Sequence, residues 1–192
     1  MVYQEIIDRR RALAIEPFKS LAEVGFDGPW VTPYQITSKS AHGPVLVALH
    51  WLDESSILQE QATLQRLGYL PSIRFNTVID AALVRQGLGR PDIYVTQTFH
   101  LIPRTRSERI SQAAIRRSFD EVTRFELHGR KVVALGDTAA GECARHNIEH
   151  IAVCHPSRRG STNEQNAIPI ADAIAALGFR GIAKDTRIQD DR

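Results

Sequence analysis

Four short clusters in this 192-residue chain bring together side chains able to do chemistry. They are His50-Trp51-Leu52-Asp53-Glu54, Gln97-Thr98-Phe99-His100, Gly136-Asp137-Thr138 and His155-Pro156-Ser157. A neutral imidazole, with an ordinary pKa of about 6.5, orients water or takes its proton near neutral pH. Asp53 shares a loop with His50, where a carboxylate either holds that ring or replaces it. Gln97 offers both a donor and an acceptor, and Phe99 offers a face for stacking. The set suits a planar, polar ligand that is stacked, hydrogen-bonded and then acted on by His or Asp.

Each cluster follows a short apolar run. The runs at 45–49, 92–96, 131–135 and 151–154 read as strands, the first of them Val45-Leu46-Val47-Ala48-Leu49. Between and after them, residues 55–68, 75–87, 107–127, 138–146 and 164–177 carry helical patterns, with Gly68 and Gly87 as stop signals. Strands that alternate with helices, each strand apolar throughout, predict an α/β fold in three layers. Its centre is a mostly parallel four-stranded sheet covered on both faces. Ligands of such sheets bind beyond the carboxyl ends of the strands, where all four clusters lie. Residues 2–25 read as one or two amphipathic helices and 25–34 as an ordered loop rich in Gly, Pro and aromatic rings. The chain divides into an N-terminal helical extension, 1–27, packed on a single domain, 28–192.

Composition narrows the function. Hydrophobic residues are 43% and charged residues 24%, which excludes a disordered or fibrous chain. No apolar run reaches the roughly 18–20 residues that span a bilayer, and the start lacks the pattern of a secretory signal. With Cys143 and Cys154 alone, there is no disulfide framework or four-cysteine metal site, and both read as small buried hydrophobes in a reducing cytoplasm. His128, His146 and His150 show no ligand spacing, so no metal is expected. The net charge is only +2, yet Lys19, Lys39, Lys131 and Lys184 are the only lysines among 24 basic residues. Arginine favours bidentate contacts to phosphate. Arg104, Arg106, Arg109, Arg116 and Arg117 stand against Glu108 alone, which reads as a polyanion-binding patch or as a solvated helix face.

Leu135-Gly136-Asp137-Thr138-Ala139-Ala140 and, one strand later, His155-Pro156-Ser157 resemble paired motifs of the uracil-DNA glycosylase superfamily. Tyr94-Val95-Thr96-Gln97 through Pro103 resembles that superfamily's middle strand, and the three blocks agree in order over roughly residues 28–170. The resemblance implies DNA as partner, a base flipped out of the stack, and no cofactor, since water is the nucleophile. Leu49-His50-Trp51-Leu52-Asp53 then corresponds to the water-activating loop, but without that motif's glycine, proline and usual polar residue, and with His50 in its place. Gln97 stands where the family has a base-reading Asn.

On this basis His50, Asp53 and His155 are the expected catalytic residues. Gln97 reads the base, Phe99 stacks on it, and Phe75 or Trp51 supplies the second aromatic ring. Pro156 and Ser157 grip the strand, and Arg158, Arg159 and Arg104 contact phosphate. Some of Arg104, Arg106 and Arg109 line the cleft rim. His155 also has a reading as part of a turn, and Gln97 as an ordinary strand-end residue. His50 also reads as a satisfied structural histidine, Phe99 as core, His100 as a phosphate contact or a solvent-facing ring, and Asp137 as the cap of the helix at Thr138. The expected protein is a monomeric, cytoplasmic DNA glycosylase acting on a damaged or modified base, in repair or in defence against foreign DNA. The rivals are a non-catalytic nucleic-acid-binding module and a nucleoside- or nucleotide-processing enzyme.

Overall fold

A computed structural model describes residues 2–181. The chain opens with α1 (Tyr3–Ala12). After a series of turns and a short 3-10 segment at Pro33–Ile36 comes β1 (Val45–Ala48). Helices α2 (Glu54–Gln59), α3 (Gln61–Leu67) and α4 (Arg74–Arg85) lead to β2 (Tyr94–Gln97). Next is α5 (Gln112–Ser118), which runs through a π-helical turn at Phe119–Thr123 into α6 (Arg124–Glu126). Then follow β3 (Val132–Leu135), α7 (Asp137–Arg145), β4 (His150–Val153) and α8 (Asn163–Ala176).

The sheet is parallel throughout, in the order β2-β1-β3-β4. Side chains alternate across it, as strand geometry requires. Leu46, Ala48, Val95, Val133 and Leu135 share one apolar cluster with Phe75, Val78 and Ile79 of α4 and Ala167, Ile170 and Ile174 of α8. Val45, Val47, Val132 and Ala134 pack on the other face with Phe119, Leu127, Ala139 and Cys143. That is the three-layer α/β arrangement. From β1 the chain steps outward to β2, then returns to place β3 on the far side of β1. Beside β1 the winding therefore reverses, the place where open α/β sheets leave a crevice at their carboxyl edge.

Local signals set most boundaries. Gly68 ends α3 in the left-handed region at φ 76°. Glu60 separates α2 from α3 where the sequence reads one helix. Ser111 accepts from the backbone N–H of Ala114 and starts α5, so residues 104–111 form a loop rather than the beginning of a long helix. The first 27 residues contribute one helix and then turns. Ile6, Ile7 and Leu13 are buried with Phe99, Leu101 and Val122. Arg10, 1% exposed, pairs with Asp27 at 2.6 Å and donates to the carbonyls of Gly28 and Trp30, which ties α1 across residue 27 into the rest of the chain. Cys143 is buried and Cys154 is exposed, which corrects the reading of Cys154 as a core residue. No helix among the described residues is long and apolar enough to cross a membrane.

Candidate active site

A cavity of about 490 Å³ opens at the carboxyl edge of the sheet. The loop after β1 supplies Leu49 to Asp53, the start of α4 supplies Ser72 to Asn76, and the loop after β4 supplies His155 and Ser157. Tyr34 and Arg106 complete it.

His50 is largely buried. Its Nδ1 is enclosed without a partner, so Nε2 is the accessible ring nitrogen. Burial lowers its pKa below the usual imidazole value. Asp53 opposes that shift, while His155 and Arg106 add to it. The ring is therefore neutral at neutral pH.

His155 leans on Phe75, ring centroids 5.7 Å apart. Its Nδ1 accepts the backbone N–H of Ser157 at 3.1 Å, which leaves the proton of the neutral ring on Nε2. The residue keeps an exposed edge, but burial of the rest also lowers its pKa. Gly136, at φ 100°, lets this loop come close: a Cβ there would sit 3.3 Å from the His155 Cβ. The glycine after β3 and the histidine after β4 are thus one structural unit, because β3 and β4 are neighbours. Asn166 of α8 fixes the same loop by donating to the carbonyls of Pro156 and Arg158, each at 3.0 Å.

The other expected site residues separate. Phe75 lines the cavity, 8% exposed. Trp51 lines it too, but its ring packs on Phe26 at 5.0 Å and its Nε1 donates to the Gly68 carbonyl, so it is an anchored wall rather than a free stacking ring. Asp53 caps α2: its two oxygens accept from the backbone N–H and the hydroxyl of Ser56. No hydrogen bond joins it to the His50 ring among the described residues, and each of its oxygens is already engaged once by Ser56.

Gln97 does not line the cavity. It is buried behind Thr32, whose hydroxyl donates to its Oε1, and its Nε2 has no partner among the described residues. Phe99 is fully buried edge-on to Phe18 at 4.8 Å, which corrects its reading as a stacking platform. His100 faces neither phosphate nor solvent. It is 1% exposed, bonded to the Thr123 hydroxyl at 3.0 Å, with its pKa lowered by burial to about 3. Pro156 is buried, and Arg158 and Arg159 are exposed on the loop outside the cavity. Of the three arginines expected at the rim, Arg106 lines the cavity and Arg104 and Arg109 do not. Arg116 and Arg117 face Glu142 and Glu121, so the basic run is a solvated helix face at that end. Asp137 begins α7 without capping it.

Tyr34, Arg74 and Asn76 enter the site without any sequence signal that singled them out. The last two lie in the first turn of α4, immediately beside Phe75, and only the docking of that helix on the sheet aims its start at the cavity. No group of three or more His, Cys, Asp or Glu among the described residues is placed to hold a metal ion. No family model matches the chain, and no curated protein matches it significantly.

Proposed function

We propose that the protein is a DNA glycosylase that flips a damaged or modified base into this cavity and hydrolyses its N-glycosidic bond. One observation carries the reading: an open neutral imidazole, His50, and a second imidazole with its proton on Nε2, His155, line one cavity beside an aromatic ring. The flipped base stacks on Phe75. His50 Nε2 orients a water molecule and takes its proton as oxygen bonds to the sugar carbon. The glycosidic electron pair leaves with the base, and the proton finally goes to that base. His155 Nε2–H donates to the base where negative charge grows, the kind of preorganised donor that stabilises a developing anion. Water is the nucleophile, so these steps call for no cofactor. The Ser157 loop and the exposed Arg158 and Arg159 hold the strand, and a monomer suffices for all these roles. Repair, or defence against DNA with modified bases, is the setting such chemistry suits.

The test is incubation with DNAs that carry a panel of damaged and modified bases, followed by alkaline cleavage. Strand breaks at one class of base support the reading. A second reading is a non-catalytic binding module, favoured by the commitment of Asp53 to the α2 cap and the withdrawal of Gln97 behind Thr32. Tight duplex binding with no abasic sites from any DNA would establish it instead.

A further inference from the structure

Two arginines reach the cavity from separate elements: Arg74 from α4 and Arg106 from the loop before α5. Neither forms an ion pair among the described residues. Arg74 donates to the carbonyl of Ser161, and its Nε is enclosed without a partner. A guanidinium has five N–H donors, so one such contact leaves most of them free. Arg106 is exposed and makes no hydrogen bond among the described residues, and its charge is felt by both His50 and Tyr34 on the cavity wall. Asp53 is the one carboxylate lining the cavity among the described residues, and Ser56 already occupies it. Both cavity histidines are held neutral. With two guanidinium groups against one carboxylate, the cavity is net electropositive. Its volume of about 490 Å³ falls in the range that takes whole small ligands, about 300–1,000 Å³.

We propose that Arg74 and Arg106 form a phosphate subsite, which holds a phosphate of the same nucleotide whose base lies on Phe75. The inference rests on the base-binding reading above and adds the group that anchors the nucleotide. Planar guanidinium forks match phosphate oxygens in pairs. The phosphate is either a phosphodiester of a DNA strand or the terminal group of a free nucleotide, and both present the same oxygens.

The test is calorimetric titration of the whole protein with deoxynucleoside 5′-monophosphates, with the matching nucleosides, and with inorganic phosphate. The monophosphate is expected to bind about tenfold or more tightly than its nucleoside, with inorganic phosphate competing. Arg106→Ala is expected to remove that difference, with Arg106→Lys keeping part of it. Arg106 sits exposed on a loop, so its loss does not threaten folding. Arg74→Ala is read beside it, with circular dichroism confirming the fold. Equal binding of nucleoside and monophosphate, or a difference that survives Arg106→Ala, overturns the subsite. In the DNA arm, one neutral methylphosphonate beside the target base weakens binding by a similar factor if the phosphodiester fills the site. If the free monophosphate alone shows the effect, the subsite stands with a nucleotide as its ligand. Abasic-site formation without any phosphate dependence removes this inference and leaves base excision intact. Phosphate dependence without abasic sites does the reverse.

Discussion

His50 and His100 follow neighbouring strands, β1 and β2, by only a few residues, yet they meet opposite surroundings. His50 lines an open cavity, with its Nδ1 enclosed without a partner. His100 is sealed beneath the sheet edge in a dense network. There Glu126 accepts from the hydroxyls of Tyr94 and Thr96, both at 2.5 Å, and from the Gln35 amide at 2.9 Å. Thr123, presented by the π-helical turn, bridges His100 and the Gln97 carbonyl. Each region holds a phenylalanine, a histidine and a carboxylate: Phe75, His50 and Asp53 in the cavity, Phe99, His100 and Glu126 in the closed network. The same residue types line open space in one place and close-pack in the other. What separates them is whether polar atoms are left unmatched toward open space.

The phenylalanines give the largest contrast. Phe99→Ala empties a fully enclosed site and is expected to cost about 3–5 kcal/mol of stability, read by chemical denaturation. Phe75→Ala should cost clearly less, because its neighbour on one side is the cavity. It should instead weaken binding of a base by about 1–3 kcal/mol, the scale of one aromatic stack. Similar stability losses at the two positions would break the comparison.

The carboxylate of the closed network should respond to pH. Burial raises the Glu126 pKa from 4.5 to about 7, against the hydrogen bonds that favour its charged form. As pH rises above 4.5 the unfolded chain releases this proton, while the folded chain keeps it until about 7. The contribution is present in full below the lower value and is lost across that window. The loss amounts to about 3 kcal/mol at most. Melting temperatures measured from pH 5 to 8 are expected to fall in the wild-type protein and to fall less in Glu126→Gln. Equal slopes in both would show that Glu126 titrates as it does in the unfolded chain.

Next come the histidines. His50→Ala is expected to slow base release by about a hundredfold, the scale of one acid–base group, with a stability cost of about 1 kcal/mol or less. If the neutral ring takes the proton of water as proposed, its lowered pKa means that release should hold steady at and above pH 6.5 and decline only at lower pH. His100→Ala should do the opposite, costing about 1–3 kcal/mol of stability through the broken Thr123 contact. A His50 variant that unfolds but keeps its rate when refolded would move His50 into the structural class.

The smallest effect belongs to Asp53. As the cap of α2, it should lose about 1 kcal/mol on change to Ala and little on change to Asn, which caps equally well. Base release by Asp53→Asn should stay within about tenfold of wild type. A hundredfold loss in that variant, with the helix intact, would give the carboxylate a place in the chemistry after all.

The architecture was legible in the sequence because its signals are local. Unbroken apolar runs such as Val45-Leu46-Val47-Ala48 mark strands buried on both faces, and glycines and capping residues mark helix ends. Strict alternation of strands and helices leaves few arrangements besides a parallel sheet with its carboxyl ends on one edge. The pairing of Gly136 with His155 was legible only as a resemblance to paired motifs; the structure supplies the physical reason, since each ends a strand and the two strands are neighbours. The direction of side chains past the strand ends was decided by tertiary structure alone. Beyond Gln97 the ladder with β1 continues, Thr98 N–H donating to the Ala48 carbonyl and Phe99 N–H to the Leu49 carbonyl. The segment therefore stays alongside the sheet and passes beneath α1, carrying Phe99 and His100 into the core instead of out to the rim. Likewise Arg74 and Arg106 stand far apart in sequence, and only the docking of α4 and the course of the loop before α5 bring both to one cavity. Residue type and spacing record what a strand or helix needs of itself; which groups share a space depends on how separate elements pack.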